Sequence, residues 1–304
     1  MADDATLRSA RPVQAAALGH IVRRLSQAEA APWLHGEVAR RMAERLPLIR
    51  LQPRTVIDWC SHLGGTGALL AQAYPQARVL PVEDLAALRK PAPAARPWWD
   101  WRRAAAPPVA LAPEDVPAGS AELLWANMTL HLCPDPVQPL QQWHRALAPE
   151  GFLMFSTLGP GSLTGLRQVY AAAGWPPPFA PFVDMHDLGD MLVHAGFAEP
   201  VMDQERLTLT WPDAAALLAE LRTLGGNADA SRAPGLRTPR WRLRMEAALQ
   251  ALRGPDGRLR LDFELVYGHA FRVAPKPRVA AQTSVALEDM RAMVRAGRRP
   301  SGAG

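Results

Sequence analysis

Residues 54–70 read RTVIDWCSHLGGTGALL, and residues 79–84 read VLPVED. Together they spell strand, turn, helix, strand. Val56 and Ile57 are β-branched and apolar, as a buried parallel strand requires, and Asp58 ends that strand. Gly64, Gly65 and Gly67 supply a turn that can take positive φ, and the run from Ala68 to Ala73 favours helix. Residues 79–82 form a second short apolar run, closed by Glu83 and Asp84. This is the outline of a nucleotide-binding βαβ unit. Glycines let the backbone approach a ligand, and an acid after the second strand can bind ribose hydroxyls.

The same stretch resembles motifs I and II of the Rossmann-like S-adenosyl-L-methionine methyltransferases, which carry D-x-G-x-G-x-G after the first strand. Counting from Asp58, Cys60 and His62 stand where the first two glycines are expected, and Gly64 falls in place. A side chain at such a position can block a ligand or demand a left-handed backbone costing about 1–2 kcal/mol. The later Gly64-Gly65-Thr66-Gly67 offers the loop another register.

Composition bounds the rest. The chain has 304 residues, 48% of them hydrophobic, ample for one elaborated domain. Its net charge of +5 suits an acidic partner, although an arginine-rich solvated surface explains the charge equally well. Two cysteines, Cys60 and Cys133, make no disulfide framework, and a cytoplasmic setting is expected. No apolar run approaches the roughly 20 residues of a membrane span, and the early acids of the first four residues argue against a secretory signal. Histidines are scattered without metal-ligand spacing, and no zinc finger or RNA-binding signature is present, so neither a metal nor nucleic acid is expected.

Leu34, Val38, Met42 and Leu46 recur every four residues, one face of a helix within an N-terminal segment over 1–50. That helix packs on the core or covers a site as a lid, with Arg40, Arg41 and Arg45 facing solvent. Residues 90–113 are rich in Pro and Ala and carry Trp98, Trp99 and Trp101, an irregular loop. Residues 109–113 are expected as the third strand, yet offer no acid before Glu114 for an adenine amino group. Residues 120–127 (SAELLWAN) read as the fourth strand, with Asn127 at its carboxyl end, where ligands gather in open α/β sheets. Leu140, Trp143, His144 and Leu147 mark an amphipathic helix with His144 packed on its apolar stripe. Residues 152–157 (FLMFST) read as the fifth strand, and 259–271 alternate as the closing one.

Residues 123–157 resemble the methyltransferase pattern of strand, Asn, amphipathic helix, L-x-P-x-G turn and F-S-T strand. Residues 156–167 (STLGPGSLTGLR), 182–197 (FVDMHDLGDMLVHAGF), 221–228 (LRTLGGNA) and the basic helix of 240–252 are similar to segments of the biotin-synthesis malonyl-acyl-carrier-protein O-methyltransferases. The related respiratory-complex-I assembly methyltransferase-like proteins share much of this pattern. The resemblance covers about residues 33–275. It implies a class I α/β domain over 51–275, with a seven-stranded, mostly parallel sheet between helices. It also implies a substrate-side insertion at about 158–250. Residues 276–304 are expected to be a disordered tail.

The resemblance further implies S-adenosyl-L-methionine as cofactor and an acidic acyl-carrier protein as partner. Asp58, Gly64, Gly65, Glu83 and Asn127 would then bind the cofactor, and His131, Arg232 and Arg240 the substrate, with Arg237 and Arg242 as further candidates for the free carboxylate. Two other functions stand beside this one. The first is a non-catalytic binding or assembly protein whose cofactor site has decayed, favoured by Cys60, His62 and the missing adenine acid. The second is another reaction on the same scaffold, such as protein-arginine modification.

Overall fold

The computed structural model describes residues 11–84, 89, 109–235, 237–274, 288 and 291. Trp98, Trp99 and Trp101 lie outside the described residues, as does the expected tail apart from Glu288 and Arg291.

Among the described residues, six strands make one sheet in the order β2-β1-β3-β4-β6-β5. They are β1 (Thr55–Trp59), β2 (Arg78–Val82), β3 (Ala121–Ala126), β4 (Leu147–Leu158), β5 (Ala198–Trp211) and β6 (Leu259–Phe271). The first four run parallel, and β6 is antiparallel to both β4 and β5. Seven strands were expected. The run at 109–113 is reduced to a single parallel bridge between Leu111 and Val82, closed by Glu83 N–H to Leu111 O and Leu111 N–H to Pro81 O. Pro113 opens a 3₁₀ turn two residues on, and a proline cannot donate to a ladder.

The strands alternate between two apolar layers, as period-two side chains must. Val56, Leu123, Trp125 and Phe152 face one core with Leu34, Val38 and Met42 of α2 (Trp33–Ala43). Ile57, Leu124, Leu153 and Phe155 face the other, with α5 (Val137–Ala146) and α7 (Met185–His194). The periodic helix expected at 34–46 is therefore a core helix. His144 sits edge-on to Phe197, with ring centres 5.1 Å apart, as a packed histidine. Arg40 is exposed and pairs with Glu37 and Glu44, while Arg41 pairs with Glu37 and Glu205 and Arg45 with Asp203.

The chain goes from β1 outward to β2 and returns on the other side of β1 to β3. That reversal opens a crevice at the carboxyl ends of these strands. Helix α1 (Ala15–Ser26) packs Ala17, Ile21 and Leu25 against Leu63 and Ala228 beside it. Between β4 and β6 lie α6 (Thr164–Ala172), α7, β5, α8 (Ala214–Thr223) and α9 (Pro239–Ala248). The expected insertion thus contributes a strand to the sheet itself.

Candidate functional site

Strand β1 is followed by Cys60, held at φ 53° in the left-handed region. A four-residue helix, α3 (Ser61–Gly64), follows, and then Gly65 at φ 65° and α4 (Gly67–Ala73). Glu83, buried at the end of β2, takes hydrogen bonds on one carboxylate oxygen from Ser61 Oγ and His62 N–H, both at 2.7 Å. It therefore caps α3, where an anion suits the unpaired N–H groups. Burial pushes its carboxyl upward, and the two hydrogen bonds pull it back.

Asp58 is buried, accepts a 2.6 Å bond from Thr66 Oγ1 and leaves its second oxygen unpaired. Burial raises its carboxyl to about 7. Asn127 donates from Nδ2 to the carbonyls of His35 and Gly64, and its Oδ1 accepts from Ser156 Oγ, all at 2.8 Å. A Cβ on Gly64 would lie 3.6 Å from Asn127, and one on Gly65 would lie 2.7 Å from the Ala31 Cβ. These glycines approach the protein's own groups.

Two cavities meet in the crevice. The smaller, about 390 Å3, is walled by Trp59, Cys60, Glu83 and Asp84 from β1 and β2, by Cys133 and Gln142, and by Leu18 and Val22 of α1. The larger, about 620 Å3, takes in His131, Tyr170, Phe179, Gly225 and Arg232. Leu18 and Leu132 belong to both walls, so α1 forms the partition between them.

Of the five residues expected at a cofactor, Glu83 lines the smaller cavity, while Asp58, Gly64, Gly65 and Asn127 shape the loop behind it. Of those expected at a substrate, His131 and Arg232 share the larger cavity. Arg240 does not join them. It stands with Arg237, Trp241 and Arg244 on an open surface depression, because α9 turns Met245 inward and these arginines outward. Arg242 is engaged by Glu246 at 2.8 Å.

Burial holds the His131 imidazole well below the usual histidine range, and the neighbouring His35 ring and Arg11 guanidinium act in the same direction, so it is neutral at pH 7. Arg11 escaped the sequence reading. It lines the larger cavity and is built into the wall by donating to the carbonyls of His131, Cys133, Ala180 and Pro181. Its partners lie at least 120 residues away in the chain, so no local pattern announces it.

Among known proteins, the chain is similar to a malonyl-acyl-carrier-protein O-methyltransferase of Gallionella capsiferriformans. That protein is 39% identical over 253 residues, which span 82% of this chain and 87% of the relative. The same-named protein of Laribacter hongkongensis is 43% identical over 81% of this chain and 84% of its own. That of Methylovorus is 36% identical over 83% and 86%. The chain belongs to the malonyl-acyl-carrier-protein O-methyltransferase family.

No family profile matches the chain. Among solved structures, this methyltransferase superposes on the YcgJ protein of Bacillus subtilis with a TM-score of 0.52 at 10% identity, over 79% of this chain and all of that one. A putative methyltransferase of Bacillus halodurans gives 0.50 at 12%, over 77% and 100%. These likenesses establish the Rossmann-like methyltransferase fold. Among the described residues of this family member, no helix is long and apolar enough to cross a membrane.

Proposed function

We propose that the protein transfers a methyl group from S-adenosyl-L-methionine to the free carboxylate of a malonyl group carried on an acyl-carrier protein, the reaction that opens the pimelate branch of biotin synthesis. Family membership supplies the reaction class. The observation that carries the reading is the pair of cavities at the β1/β3 switch point, sharing Leu18 and Leu132, with Glu83 in one and Arg232 and His131 in the other.

The smaller cavity fits the nucleoside end of the donor. Glu83 presents a carboxylate there for ribose hydroxyls, and Trp59 and Cys133 give it an apolar wall. Asp58, Gly64, Gly65 and Asn127 act behind it as positioning residues that hold the α3 loop. Bound there, the donor supplies a methyl group on a sulfonium, which a malonyl carboxylate oxygen takes as the carbon–sulfur electron pair returns to sulfur.

The acceptor needs no general base, since a carboxylate with a pKa near 4 is ionised at pH 7. The chain's task is alignment and exclusion of water, which can lower a barrier by several kcal/mol. Arg232, whose side chain makes one described hydrogen bond, to Gln14 Oε1 at 3.2 Å, keeps donors for a bidentate carboxylate contact. Neutral His131 lines the same cavity with a buried, unpaired Nδ1. Helix α1 lends Leu18 to both cavities, Val22 to the smaller and Ile21 to the larger, which suits a cover over the two sites.

The test is incubation with donor and malonyl-acyl-carrier protein, with mass spectrometry of the acyl group. A methyl ester is expected. Absence of the ester, together with no binding of S-adenosylhomocysteine, sinks the reading in favour of a non-catalytic protein.

Two variants probe the two halves. Glu83→Ala removes a charged acceptor of two hydrogen bonds, and bonds to charged groups are worth about 1.5–3 kcal/mol. S-Adenosylhomocysteine affinity by calorimetry should fall by roughly tenfold to a hundredfold. Arg232→Ala should raise KM for the malonyl substrate by a similar factor of about 10–100 while leaving S-adenosylhomocysteine binding untouched. An unchanged KM would move the carboxylate contact to another arginine of the cavity.

A further inference from the structure

Some arginines of this chain pair with acids and others do not. Arg40, Arg41, Arg45, Arg242 and Arg260 pair with acids. Arg167, Arg237, Arg240 and Arg244 have no ion pair among the described residues, and all four are exposed. Arg237, Arg240 and Arg244 share one surface depression with Trp241, and Arg167 lies in another with Tyr170, Trp175 and Phe179.

Aromatic rings order three of them. The Arg237 guanidinium lies 4.5 Å from the centre of Trp241, Arg244 lies 5.9 Å from Trp175, and Arg167 lies 5.0 Å from Phe179. Trp175 in turn contacts Trp241 and Tyr170, with ring centres 5.5 and 5.3 Å apart. Tyr170 and Phe179 line the larger cavity. The aromatic cluster is thus continuous from the arginine face to the cavity wall.

A ring holds a guanidinium in place without cancelling its charge. Charge-paired arginines would offer an anionic partner little. Ring-ordered, unpaired ones offer preorganised donors at low entropic cost. Helix α9 phases the face. Arg240 and Arg244 are four residues apart and point outward together, whereas Met245 is buried against the cavity. No acid stands in the first turn of α9 to offset them.

We propose that this face, centred on Arg240 and Arg244 and flanked by Arg167 and Arg237, is where the acidic acyl-carrier protein docks, its acyl arm entering the larger cavity past Tyr170 and Phe179. The proposal rests on the methyltransferase reading for the partner's identity. It reassigns Arg240 from a contact with the acyl group to a contact with the protein that carries it. Charge complementarity of this kind sets the encounter rate and its salt dependence.

The test uses the full chain and fluorescently labelled holo-acyl-carrier protein, without a malonyl group, read by anisotropy. Binding that weakens with added salt is expected in the wild type. It should weaken more than tenfold in the Arg240→Glu, Arg244→Glu double variant. Arg242→Gln, on the same helix but already engaged by Glu246, should bind as the wild type does. Turnover splits the role further. The double variant should show a raised KM for malonyl-acyl-carrier protein and an unaltered kcat on S-malonyl-N-acetylcysteamine, a small thioester with no carrier attached. Equal binding by the double variant and the wild type overturns the proposal. So does capture of a single-stranded RNA, with the same arginine dependence, by a wild type that ignores the carrier protein. A wild type that binds the carrier through this face but methylates neither substrate leaves the docking intact and removes the malonyl reading.

Discussion

Replacing Asn127 with alanine is expected to lower the unfolding free energy by about 3–5 kcal/mol and to release the loop that follows β1. Asn127 is fully buried at the end of β3. Its amide holds three groups from three parts of the chain: the His35 carbonyl of α2, the Gly64 carbonyl ending α3, and the Ser156 hydroxyl of β4. Two acceptors and one donor would lose their partner at once. Each buried polar group left unmade costs about 1–3 kcal/mol, and the three losses share one cavity, so they add incompletely. Ser156 Oγ also accepts from Met128 N–H at 3.0 Å, where Met128 is held at φ 53°, so the disturbance spreads along the chain past β3. Aspartate is no remedy, since it would turn a carboxylate oxygen toward two carbonyls. Denaturant unfolding checks this: the midpoint should fall with little change in slope. S-Adenosylhomocysteine affinity should fall with it, because the residue acts through the loop. A variant that loses affinity at full stability would make Asn127 a direct ligand contact instead.

Glu83 and the β1–β2 unit were legible because their signal is local. A β-branched pair, a glycine turn and an acid after the next apolar run lie close together in the chain, and the structure keeps that order. The alternation of 259–271 was legible for the same reason. Strand β5 carries the same signal, with Leu207, Leu209 and Trp211 turned inward between exposed Arg206, Thr208 and Thr210. It passes unnoticed because it lies between segments read for their motifs. The seventh strand failed because propensity does not count hydrogen bonds: Val109 and Leu111 suit a strand, yet pairing there stops at one bridge. Asp58 and Asn127 stand at the carboxyl ends of β1 and β3, where the strand pattern puts them. Which way their polar atoms turn is decided by Thr66, His35 and Ser156, partners that only the tertiary fold brings near. Arg232 and Arg240 look alike in a run of arginines; the turn at Asp229 and the contact with Gln14 place the first in the cavity wall, whereas the burial of Met245 sets the phase of α9 that turns the second outward.

The second large effect is a dependence on pH centred on His35. This ring is 1% exposed in α2, donates from Nδ1 to the Leu63 carbonyl at 2.8 Å, and leaves Nε2 buried without a partner. Burial lowers its pKa from the usual 6.5 to about 4, with the Leu63 bond acting weakly the other way. Its neighbours do not favour a charge either. His131 stands edge-on at 6.2 Å, Phe182 lies beyond His131, and the Arg11 guanidinium closes the same wall. The folded protein therefore refuses a proton that the unfolded chain accepts. Stability from His35 is complete above pH 6.5 and is lost as the pH falls toward 4. Every tenfold difference in proton affinity between the folded and unfolded chain is worth about 1.4 kcal/mol, so the loss approaches roughly 3 kcal/mol. Asp58 works in the opposite direction. Its folded pKa of about 7 lies above the unfolded 3.8, so the folded form gains as pH falls through that window. The wild-type profile sums the two and hides both, and a variant difference separates them. His35→Asn keeps a donor for the Leu63 carbonyl and cannot titrate. Unfolding free energies measured from about pH 7 to about pH 4 should show the wild type losing about 3 kcal/mol more than this variant. Parallel profiles would mean that water reaches the ring and that His35 is not sealed in the folded protein.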